Sequence, residues 1–114
     1  MNAPSAVTAA PAGPAPTIFA AIVRQVCVDG RYNGGKVVLA PHAIFTRHGE
    51  LYIAAITVSR DFKMPREPRI GLFKLDGLAD LSLTERAFEI SPLFDRQDER
   101  FAAETLMAVE PAAG

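Results

Sequence analysis

Residues 26–59 read VCVDGRYNGGKVVLAPHAIFTRHGELYIAAITVS. Val26, Val28, Gly30 and Tyr32 alternate with Cys27, Asp29 and Arg31, the period of two that marks a half-buried strand. Asn33-Gly34 follows, and both residues accept the positive φ of a two-residue hairpin turn. Lys36 to Phe45 is the returning strand, in which Pro41 predicts an edge position or a bulge. His48-Gly49 makes a second turn, and Leu51 to Ser59, rich in Ile, Val, Tyr and Thr, is the third strand. The glycine cluster Asn33-Gly34-Gly35-Lys36 reads as hairpin rather than phosphate loop, because strand-like runs flank it on both sides.

Outward from this stretch the pattern continues. Residues 60–68, RDFKMPREP, form a polar loop; Arg69 to Leu75 is a fourth strand, Asp76-Gly77 a turn, and Leu78 to Leu83 a fifth strand. On the fourth strand, alternation places Gly71, Phe73 and Leu75 on one face and Ile70, Leu72 and Lys74 on the other. Thr17 is a candidate cap for a short helix, Ile18 to Gln25. Ser91-Pro92 reads as the start of a C-terminal helix reaching Leu106, with Phe94, Phe101 and Thr105 on one face. The expected fold class is mainly β with flanking helices (α+β). It is a small five-stranded SH3/Sm-like barrel with a short N-terminal helix and a C-terminal helix, since closure removes the edges of a small sheet. Residues 1–16, with six Ala, four Pro and no charged side chain, read as a disordered tail; 17–109 form the single domain, and 110–114 a disordered end.

Composition narrows the function classes. At 114 residues the chain holds one small domain. One cysteine, Cys27, leaves no internal disulfide and no cysteine-rich zinc site, and in its strand it reads as a structural thiol. No apolar stretch approaches the ~20 residues that span a bilayer, and the first residues lack the basic start and apolar centre of a secretory signal. A cytoplasmic location and no membrane partner are expected. His42 and His48 have no metal-ligand spacing, and GxSxG, P-loop and GxGxxG patterns are absent. No catalytic residue, metal or cofactor is expected, and the chain reads as non-enzymatic.

Charge is segregated. Residues 18–75 carry nine Lys and Arg against four acids, and residues 76–114 carry three Arg against nine acids. A basic body points to an anionic partner, unless the acidic half neutralises it within the fold or in a homodimer. Arg60, Lys63, Arg66, Arg69 and Lys74 lie within fifteen residues, with Phe62 and Phe73 interleaved. Guanidinium forks and ammonium groups hold phosphate, and an exposed ring can stack a base. An anionic ligand or single-stranded nucleic acid is the partner such a set would take.

The segment from Tyr32 onward also resembles the WYL-domain family over residues 18–90. The matching features, in order, are Tyr32, Pro41, the His48-Gly49 turn, Leu51-Tyr52-Ile53, the basic loop, and Phe73-Lys74-Leu75-Asp76-Gly77-Leu78. Leu51 stands where the family has Trp, and Gly71 and Gly77 stand at basic positions. The resemblance implies an Sm-like barrel acting as a stand-alone bacterial sensory module. Such a module would bind nucleic acid or a negatively charged ligand and be linked to transcription regulation. Tyr52 and Lys74 match the motif residue by residue and would line the ligand site, helped by Arg69, Arg66, Arg60 and Lys63. The alternative is a protein-interaction module, binding a partner regulator subunit or a second copy through the apolar face of the C-terminal helix.

Overall fold

The alternation of residues 26–32 becomes strand β1 (Val26–Tyr32), and Asn33 and Gly34 turn it, at φ 49° and 85°, into β2 (Gly35–Arg47). The hairpin register runs from Val28 opposite Leu39 to Tyr32 opposite Gly35. The computed structural model describes residues 13–100 and 104–110. Within them β3 (Glu50–Arg60), β4 (Ile70–Lys74), a 3-10 turn (Leu75–Gly77), β5 (Leu78–Ala87) and β6 (Thr105–Ala108) follow. Every ladder is antiparallel. The order across the sheet is β4-β3-β2-β1-β5, with β6 beside the second half of β2. Among the described residues no ladder joins β4 to β5. The sheet is therefore open and six-stranded, where a closed five-stranded barrel was expected.

Pro41 lies in the interior strand β2, not at an edge. Its missing N–H is tolerated because the pairing changes there: β1 pairs β2 through Leu39, and β6 takes over from Ala43. The expected bulge is present. Pro41 opposes Ala55 and Ala43 opposes Ala54, which leaves His42 as the extra residue. One inserted residue reverses the alternation, so Val37 and Leu39 before it and Ile44 after it all face the main core, while Ala43 and Phe45 face the other way.

Helix α1 (Ala15–Arg24) covers the core face with Ile18, Ala21 and Ile22, all buried. Each buried isoleucine contributes about 1.5–3 kcal/mol relative to exposure. The helix begins earlier than Thr17: Pro14 is its N-cap, no side chain caps it, and Ala15 and Pro16 form its first turn. Proline fits there because its fixed φ is helical and the first amides need no partner within the helix. Residues 13–16, expected in the tail, are thus ordered, and residues 1–12 lie outside the described set. Gln25, left-handed at φ 51°, ends the helix. It also ties the end of the helix to the strand end, since the Phe88 N–H donates to its carbonyl at 2.9 Å.

The C-terminal helix from Pro92 to Leu106 does not form. Residues 91–100 are a series of turns, and β6 pairs with β2. The reason is local: Ser91 Oγ accepts from Leu93 N–H at 3.1 Å, Asp95 Oδ1 from Gln97 N–H at 2.8 Å, and Asp98 Oδ1 from Arg100 N–H at 2.9 Å. Each candidate cap closes its own short turn instead of starting a helix. Phe101 and Ala102 lie outside the described residues.

His42 fastens this segment. Its Nε2 accepts from Ser91 N–H at 2.9 Å, so the ring proton sits on Nδ1 and is donated to Ala40 O at 2.8 Å. The ring packs against Phe88 and Phe94, at centroid distances of 4.9 and 5.3 Å. Burial pushes its pKa below the ordinary histidine value, and the Ala40 bond offsets this in part. Cys27 is buried too, and burial raises its thiol pKa against a smaller opposing effect of Arg86, which keeps it a thiol.

Candidate binding groove

Strands β3 and β4 pair from Tyr52 opposite Lys74 to Ile56 opposite Ile70. Alternation assigns their residues to two faces. Ile53, Ala55 and Phe73 belong to the main core. Thr57 and Gly71 share that face by spacing. Tyr52, Ala54, Ile70 and Leu72 belong to a second apolar layer on the opposite face, with Ala43 and Phe45. Phe73 is buried as the alternation predicts, and Tyr32 meets it edge-on at 5.0 Å.

The β3–β4 connector starts with a tight turn. Arg60 and Lys63 exchange two backbone hydrogen bonds of 2.8 and 2.9 Å, closing a two-residue turn at Asp61 and Phe62. Both have positive φ, 49° and 69°. Asp61 anchors the turn to the start of β2. Its N–H donates to Lys36 O at 2.7 Å, and its Oδ1 accepts from Lys36 N–H at 3.0 Å. The Arg60 guanidinium lies across Gly35, where a β-carbon would stand 3.2 Å from Nη2.

Beyond the turn the connector and the adjoining strands border a groove of about 440 Å³. Thr57 and Gly71 line it from the strands, and Arg60, Lys63, Met64, Pro65, Glu67 and Arg69 from the connector. Gly71 keeps that wall open: a β-carbon there would sit 2.9 Å from the Phe73 ring. Glu67 approaches Arg69 at 4.0 Å, with both side chains well exposed, so their attraction is slight. Three cations and one carboxylate leave the groove positive, and Met64 and Pro65 give it apolar walls. Such a site suits an anion that carries an apolar portion.

The six residues read from the sequence therefore divide. Arg60, Lys63 and Arg69 share the groove, and Arg66 is on the same connector without lining it. Tyr52 and Lys74 are neighbours as expected, but on the opposite face. There Tyr52 stacks on Phe45 at 5.8 Å, and Lys74 Nζ contacts Glu50 Oε1 at 2.8 Å. The Glu50 carboxylate holds the Lys74 ammonium above the usual lysine range, through its hydrogen bond first and its charge second. Thr57, Met64, Pro65, Glu67 and Gly71 were missed as lining residues. For Thr57 and Gly71 the signal was the pairing of Ala55 with Gly71, which a strand register supplies and a linear motif does not.

Among the described residues, ion pairing does not bridge the two charged halves of the sequence. The ion pairs among the described residues are Glu50–Lys74, Glu67–Arg69 and Asp98–Arg100. None joins the basic half to the acidic half. Among the described residues no set of His, Cys, Asp and Glu could hold a metal ion, and no helix is long and apolar enough to cross a membrane.

Comparison with family models, with curated proteins and with solved structures finds no match.

Proposed function

We propose that the protein is a non-enzymatic regulatory binding module for an anionic ligand, either a nucleotide-like small molecule or a single strand of nucleic acid. The observation that carries this is the convergence of Arg60, Lys63 and Arg69 on one groove with apolar walls. The strand order β4-β3-β2-β1-β5, the helix before β1 and the 3-10 turn between β4 and β5 support an SH3/Sm-like reading of the fold. The WYL-like character rests on the sequence motif alone. The ligand site, however, moves from the Tyr52–Lys74 face to the groove. The rival reading, a module docking through the apolar face of a C-terminal helix, loses that surface because the described residues of the segment are turns and β6.

The test is a titration of the protein with single-stranded oligonucleotides and nucleoside polyphosphates at two salt concentrations. Binding is expected at low salt and should weaken as salt rises, because each phosphate contact releases counterions. Arg60→Glu with Arg69→Glu should abolish it, while Lys74→Ala and the distant Arg86→Ala should leave it unchanged. Loss on Lys74→Ala with retention in the Arg60/Arg69 variant would return the site to the opposite face. No binding of either ligand class would end this reading.

A further inference from the structure

Phe62 is the least conventional residue of the sheet. Two-residue turns with positive φ at both positions take Asn, Asp and Gly, because a bulky side chain is strained there. Phe62 holds φ 69° nonetheless, and its side chain is 85% exposed. It gains no burial in exchange for the strain. Met64, two residues on, is 76% exposed. The turn beneath them is fixed by the Arg60–Lys63 bonds and by Asp61 on Lys36, so the apolar tip is held outward. Arg60, Lys63 and Arg66 stand within four residues of Phe62, and Asp61 directs a carboxylate oxygen back to the Lys36 amide.

We propose that this tip docks on the surface of an anionic bilayer, with Phe62 and Met64 entering the headgroup–acyl boundary and Arg60, Lys63 and Arg66 at the lipid phosphates. A protruding apolar pair with three cations on the same connector matches a surface that is apolar beneath and anionic on top. A nucleic-acid strand would stack on the ring of Phe62, whereas a bilayer takes up both exposed apolar side chains. The absence of a spanning segment, from which no membrane partner was expected, bears on crossing a bilayer and not on lying against one. The tip shares Arg60, Lys63 and Met64 with the groove, but the proposal does not require the groove to be occupied.

The chain contains no tryptophan, so Phe62→Trp places a single reporter at the tip. The full-length variant is mixed with vesicles of phosphatidylcholine alone, or of phosphatidylcholine with phosphatidylglycerol. Co-sedimentation and a blue shift of the tryptophan emission are expected with the anionic vesicles, weakening as salt rises. Neutralising Arg60, Lys63 or Arg66 should weaken partitioning about five-fold per charge. Phe62→Ala, an exposed change that leaves the core intact, should weaken it about ten-fold or more while the melting curve shows the protein folded. A variant that stays in the supernatant with unshifted emission overturns the proposal. So does quenching by a single-stranded oligonucleotide without vesicle binding, which would put the tip on nucleic acid. Dissolved nucleotides test the groove separately, so the two readings can fail independently.

Discussion

The turn at Asn33-Gly34 and the turn at Asp61-Phe62 share the same signs of φ and differ in what stands on them. The first uses residues that accept the left-handed region at little cost, and it sits next to the interior. Its neighbour Tyr32 packs on Phe73 and accepts a hydrogen bond from the Lys74 amide at 3.3 Å. The second puts a phenylalanine where glycine would serve, far from any core. Where the turn serves folding, sequence and backbone agree. Where they conflict, the side chain at the tip has another use, as expected of strain held at functional sites.

The strongest way to test this division is to remove the interior partner. Phe73→Ala should cost about 3–5 kcal/mol through lost transfer energy and the cavity left under Tyr32. In a domain of this size most molecules would then be unfolded, which circular dichroism and urea titration would register. Near-native stability would mean that the first turn does not rest on the core. Exchanging residues between the turns comes next. Gly34→Phe should destabilise by about 1–2 kcal/mol, since the left-handed cost then falls on the folding turn. Phe62→Gly should stabilise by about 0.5–1 kcal/mol, after allowing for the greater freedom of glycine in the unfolded chain. A loss of stability there would show that Phe62 packs on something after all.

Acid tests the interior in a third way. His42, inside, does not stay neutral as the pH falls. Its folded pKa lies below the ordinary value of about 6.5, so the unfolded state takes up a proton that the native state refuses. Stability should therefore be full above about pH 6.5 and fall as pH drops from there towards the folded pKa. The slope is at most about 1.4 kcal/mol per pH unit. Protonation makes Nε2 a donor and breaks its bond from Ser91, so hydrogen exchange around residues 88–100 should rise first. A flat stability profile between pH 6.5 and 5, above the ordinary carboxylate range, would contradict this role for His42.

The site was half legible. Arg60, Lys63 and Arg69 stand out in one dimension because the loop is short and basic, and a short loop keeps its residues close. Tyr52 and Lys74 stand out by motif, and they do meet across the β3–β4 register. That they face away from the groove follows from counting alternate residues across a pairing that had first to be established. The pairing also puts Glu50 within reach of Lys74, because Glu50 lies two residues from the partner of Lys74 on the same face.

The sequence by itself determined the helix before β1, the strands through the start of β5, the first two turns and the inward face of β4. Those depend on periodicity, turn residues and proline, which act over a few residues. Tertiary structure decided the rest. The bulge at His42 reverses the phase of β2, and the flank of β2 beyond Leu39 is open to β6. Ser91, Asp95 and Asp98 close local turns where a helix was expected, and Asp61 on Lys36 holds Phe62 outward. Each is a contact or choice between competing hydrogen bonds whose energies are within a few kcal/mol of one another. For Asp61 on Lys36 and Thr46 on Glu104 the partner lies 25 and 58 residues away in the chain, whereas the turns at Ser91, Asp95 and Asp98 close within two residues.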